Sequence, residues 1–150
     1  MKKFLLAFIS IFIIYILLDY INQKNVETTL AEVQLNLETD KSTSDGILIE
    51  GKIDGSLPKF ANNQLALVIP FAQEARVIEI LSPNPNIEFV SRDGEFHYLN
   101  INNLNNYPFE FSIQIRAEEL EKIKQIDGFI QSKPMGIIPH EYLLSDNNGS

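Results

Sequence analysis

The chain contains no cysteine and no tryptophan, and only two histidines and two methionines among its 150 residues. Without cysteine there is no disulfide framework and no lipid-modified thiol behind the N-terminal apolar run. A zinc or copper centre needs several nitrogen or sulfur ligands converging, and His97 and His140 stand far apart in sequence, so no metal is expected. Glycine is sparse as well. Gly51 and Gly55 are not followed by the helix that a phosphate cradle requires, and no serine sits in a G-x-S-x-G elbow. The pair Glu118-Glu119 reads as charge at a helix start rather than as a catalytic dyad. A non-enzymatic protein without a cofactor is the expectation.

Positive charge is also in short supply. Lys and Arg total 12 against 20 Asp and Glu, a formal net charge of −8. From residue 26 onward nine basic residues face nineteen acidic ones, leaving that part at −10. Such a domain is repelled by phosphate backbones, which excludes nucleic acid as a partner. Its acidity serves solubility.

Charge of either sign is missing from one stretch altogether: Phe4–Leu18, FLLAFISIFIIYILL, directly behind Lys2 and Lys3. As a helix it covers roughly 22 Å, and extension through Ile21 brings it close to the ~30 Å hydrocarbon core of a bilayer. The small residues that a signal peptidase needs after the run are replaced by Asp19-Tyr20-Ile21-Asn22-Gln23, so a retained signal anchor is expected. Tyr15 and Tyr20 are suited to the membrane interface, and Asp19 is expected near its outer edge. The lysines before the run place the N-terminus in the cytoplasm and the rest outside it, periplasmic or extracellular. Within the anchor, Phe4, Phe8 and Phe12 fall on one helical row continued by Tyr15, a membrane-facing set. Ala7 and Ser10 form a separate small-residue spot where another transmembrane helix could pack.

Beyond the anchor the composition turns to short alternating runs. Residues 22–29, NQKNVETT, are polar and without periodicity, as for a stalk. Ala31, Val33, Leu35 and Leu37 then alternate with polar residues, the pattern of a strand with one buried face. Further runs are Ile47–Ile53, Gln64–Phe71, Arg76–Leu81, Ile87–Val90, Phe96–Ile101 and Phe109–Ile115. Gly51 marks a bulge or a close approach. Arg76–Leu81 is apolar on both sides, which suits a central strand. Pro70 ends the third run or puts it at an edge, and Asp93-Gly94 signals a hairpin. Ala117–Ile126 places Leu120 and Ile123 on one helical face, with Gly128 as its C-cap. The stretch 129–144, broken by Pro134 and Pro139, reads as one or two edge strands or an extended crossing.

Together these predict a mainly β protein. A transmembrane helix (1–21) and a stalk (22–29) lead to an antiparallel β-sandwich, immunoglobulin-like or barrel-like (30–144), with one short C-terminal helix and a disordered tail (145–150). The function that fits is an accessory or scaffold subunit of a cell-envelope or membrane complex. Its docking surfaces are expected to be the sheet edges, then the loops Leu81–Asn86 and Asn100–Asn106. The alternative is a membrane-anchored module binding a small apolar or lipid-like ligand within the sheets.

Overall fold

The computed structural model describes residues 2–41, 46–81, 88–93, 96–101 and 106–146. It opens with one helix, α1 (Lys2–Ala31). No glycine or proline interrupts these thirty residues, so nothing in the sequence breaks or kinks the hydrogen-bond ladder. Residues 22–29, expected as an aperiodic stalk, are therefore helical, and the strand expected from Ala31 starts at Gln34 instead.

Among the described residues nine strands follow: β1 (Gln34–Asp40), β2 (Ile47–Asp54), β3 (Ala61–Val68), β4 (Val77–Leu81), β5 (Glu88–Asp93), β6 (Phe96–Asn100), β7 (Phe109–Ala117), β8 (Asp127–Pro134) and β9 (Tyr142–Ser145). They form two antiparallel sheets, one ordered β1-β2-β7-β4 and the other β5-β6-β3-β8-β9. In the first, Ile49 lies opposite Ile113 and Leu35 opposite Ile53. In the second, Leu65 pairs with both Leu99 and Ile130. Alternation along each strand sends these residues to one face, and all of them join a single buried cluster that draws on both sheets. Leu30 and Val33, at the exit of α1, belong to the same cluster. On β7, Ile113 is fully buried while Gln114 is half-exposed, as the alternation of that strand requires.

Four expectations change. Ala117–Ile126 is not a helix: only a 3-10 turn, Leu120–Lys122, forms. The Glu118 and Glu119 amides donate instead to the carbonyls of Arg76 and Ala75, and Lys41 Nζ donates to the carbonyls of Ile123 and Lys124. Tertiary partners thus take backbone groups that a helix would have used, and Ile123 and Ile126 are both buried from an extended chain. Gly128 is no C-cap but a residue of β8 paired with Leu67. Strand β8 is interior to its sheet, between β3 and β9, whereas β4, expected centrally, is an edge. Its ladder with β7 shifts register between Val77 and Glu79, which turns Ile78 out into solvent. At Gly51 there is no shift of register. The ring of its cross-strand partner Phe111 lies over it, and a β-carbon there would fall 2.1 Å from Phe111 Cζ.

Pro70 follows the end of β3, a strand flanked on both sides, so it acts as terminator rather than edge marker. Most of the loops 81–86 and 100–106, and the tail from 147, lie outside the described residues.

Candidate functional site at the base of the domain

The helix α1 changes character at Asp19. Before it, every described side chain from Phe4 to Leu18 is exposed. From Asp19 on, one stripe turns inward: Asp19 is only 5 % exposed, Asn22 and Gln23 are half-buried, and Val26 and Leu30 are buried. These positions recur every three or four residues, so they share one side of the helix. Val26 and Leu30 pack as ordinary core. The three polar residues serve a different purpose.

They bind the backbone of the segment that follows β8. Asp19 Oδ1 accepts a hydrogen bond from the Ile137 amide and Oδ2 one from the Ile138 amide, both at 3.2 Å. Asn22 Nδ2 donates to the Met135 carbonyl at 2.8 Å and to that of Phe60 at 3.4 Å. Gln23 Nε2 donates to the Ile138 carbonyl at 3.4 Å and to Asp19 Oδ2 at 3.3 Å. The Met135 amide in turn donates to the Phe60 carbonyl at 3.0 Å, tying the start of β3 to the same cluster. Asp19 accepts three of these hydrogen bonds, from Ile137, Ile138 and Gln23, and is the centre of the latch. Gly136 makes the approach possible, since a β-carbon there would lie 1.7 Å from Asp19 Oδ1.

Further along, β9 also packs against α1. Burial raises the pKa of the Tyr142 phenol above its ordinary value, with the nearby Glu27 carboxylate adding to the effect. His140 lies edge-on to the Tyr142 ring at 4.7 Å, while His97 is buried on β6.

The side chains of the latched segment point the other way. Met135, Ile137 and Ile138 are exposed, as is Phe60 at 71 %. Ile137 reaches back along α1 and lines a groove with Phe8, Ile11, Phe12 and Tyr15. A second groove, between Tyr15, Leu18 and Asn22 of α1 and Phe60 and Met135 of the domain, continues it. The aromatic row identified from sequence therefore faces this foot of the domain, and Phe8, Phe12 and Tyr15 come together there. Phe4 is the most exposed of the row and lies beyond the groove. Ala7 and Ser10 are exposed outside both grooves, and the Ser10 hydroxyl donates to the Leu6 carbonyl of its own helix at 2.9 Å.

Sequence reasoning missed Asn22, Gln23, Phe60 and the 135–138 segment. A signal was present: 4, 8, 12, 15, 19, 22, 26 and 30 form one row at spacings of three and four. Its polar middle hides it from any search for apolar periodicity. Comparison with protein families, curated proteins and solved structures finds no match.

Proposed function

We propose that this protein is a single-pass, N-in membrane protein holding a β-sandwich outside the cytoplasm, and that it acts by protein contact as an accessory or scaffold subunit of an envelope or membrane complex. The observation that carries the anchoring is the contrast in burial. The most apolar window of α1 is only 6 % buried, too little for the core helix of a water-soluble domain. A helix apolar all round and uncovered by its own protein calls for lipid as its surroundings. Retention of the anchor is supported by continuity, because removal of the run with Asp19 would strip the latch from the 135–138 segment.

Contact through protein is supported by β4. This edge strand exposes Ile78 at its bulge and Leu81 at its end, with Phe71 exposed in the preceding turn. Unpaired ladder groups beside apolar side chains accept an added strand. The fully buried inward residues Leu35, Ile49, Leu65, Leu67, Ile113 and Ile130 favour a filled core over a ligand chamber between the sheets.

Topology is tested by protease added to intact spheroplasts, which should remove the domain and leave the anchor. A protected domain overturns the reading. Partner contact is tested by mild-detergent co-purification with Ile78→Asp: the partner should be lost while the urea midpoint barely moves, a surface change costing about 0.5 kcal/mol or less. Recovery of the intact chain as an isolated monomer speaks against a scaffold.

A further inference from the structure

We infer that the foot of the domain, formed by Phe60, Met135, Ile137 and Ile138, is immersed in the outer leaflet of the bilayer that α1 crosses, so that the domain is seated in the membrane rather than suspended above it. The inference rests on the reading of Phe4–Ile21 as the membrane span.

Depth is the first ground. Ile137 lines a groove with Phe8, Ile11, Phe12 and Tyr15. Tyr15 and Ile11 precede Ile21 by six and ten residues, about 9 and 15 Å along the axis at ~1.5 Å per residue. A bilayer that covers the anchor through Ile21 also covers Ile137. Drawing the boundary back to Tyr15 would leave Ile16, Leu17, Leu18 and Ile21 in water, along with the four apolar residues of the foot.

The second ground is the backbone. Irregular chain at membrane depth is tolerated only where its polar groups are satisfied by protein. Five backbone groups of the foot are held in this way: the amides of Ile137 and Ile138 on Asp19, the carbonyls of Met135 and Ile138 on Asn22 and Gln23, and the Met135 amide on the Phe60 carbonyl. A loop in water has no need of three helix side chains to satisfy it, and none to present Met-Gly-Ile-Ile outward. Asp19, only 5 % exposed, turns both carboxyl oxygens onto this latch at the edge of the groove that it lines with Tyr15 and Phe60.

Charge is the third. The domain is strongly acidic, yet Pro58–Phe60 and Ser132–Pro139 contain Lys59 and Lys133 and no acid. Acidic repulsion from headgroups is relaxed here, with Lys59 the cation beside Phe60 and Lys133 paired to Glu141 at 3.5 Å.

The absence of cysteine makes the test direct. Single cysteines at Phe60, Ile137 and Ile138, with Phe12→Cys as anchor reference and Ile78→Cys as an exposed apolar position on the other sheet, are labelled with an environment-sensitive dye in the full chain. The protein is reconstituted in phosphatidylcholine–phosphatidylglycerol vesicles, and quenching by doxyl-labelled lipid is compared with quenching by aqueous iodide. Labels at 60, 137 and 138 should resemble the label at 12, with a lipid-to-iodide ratio several-fold above that at 78. Immersion at 12 with iodide access at 137 and 138 overturns the inference and leaves the anchor intact. Iodide access at 12 overturns the membrane span itself. Protection of 137 and 138 from both quenchers means that protein covers the foot, and equally overturns it.

Discussion

The two parts of α1 share one unbroken backbone and almost nothing else. From Phe4 to Leu18 every side chain stays exposed and only the foot of the domain lies alongside; from Asp19 to Ala31 one side, Asp19, Asn22, Gln23, Val26 and Leu30, is turned against the domain and the rest is exposed or half-exposed. The helix is the same element throughout, so its environment is set by how apolar residues are distributed around the axis rather than by how many there are. All-round hydrophobicity selects a surrounding solvent, whereas a stripe selects a partner surface.

That contrast can be broken by mutation. Leu30→Ala, on the stripe, should destabilise the domain by about 2–5 kcal/mol, the cost of emptying a core site. Phe8→Ala, on the all-round part, should leave the urea midpoint of the full chain in detergent unchanged. Equal losses would mean that the anchor is part of the domain core.

A smaller effect is expected at the junction. Gly136→Ala drives a methyl group into Asp19 Oδ1, and overpacking of this kind costs about 1–3 kcal/mol. Hydrogen exchange should localise the loss to the amides of Ile137 and Ile138, with β2 and β7 unaffected. Uniform acceleration across both sheets would show that the latch and the core are one cooperative unit.

The finest distinction concerns pH on the domain side. The Tyr142 phenol has its pKa raised by burial, so the folded state favours the protonated form. Its contribution is complete below the ordinary tyrosine value of 10.0 and is lost as pH rises above it. Tyr142→Phe should match the wild type at neutral pH and lose less stability at strongly alkaline pH, read as the difference between the two urea midpoints. A parallel decline in both proteins would exclude Tyr142 as a source of base sensitivity.

Much of this architecture is visible in the residues themselves. The apolar run, the alternation on β7 and the antiparallel pairing of β5 with β6 all follow from local sequence, because each depends on neighbours a few residues away, although the turn at Gly94 lies outside the described residues. The interior position of β8 and the failure of 118–126 to form an α-helix depend on contacts with β3, Arg76 and Lys41, which no local pattern encodes. The latch is the clearest case. Asp19, Asn22 and Gln23 look like the polar end of an anchor, and their partners are backbone groups more than a hundred residues away, where Met135 to Ile138 offer no side chain to suggest the bond.

The missing glycine and proline in α1 also fix an angle. Each residue of a helix advances the direction of its side chain by about 100°. The azimuth of the Phe8–Phe12–Tyr15 face is thereby locked to that of Asp19 and Val26, and the domain can face only one way around the anchor. One alanine inserted between Tyr15 and Asp19 would lengthen the shaft by only about 1.5 Å, but it would swing the domain through more than a quarter of a turn. A tether would absorb that change; a shaft transmits it, and so, on the proposed membrane span, any torque applied to Phe4–Leu18 would arrive at β4 as rotation.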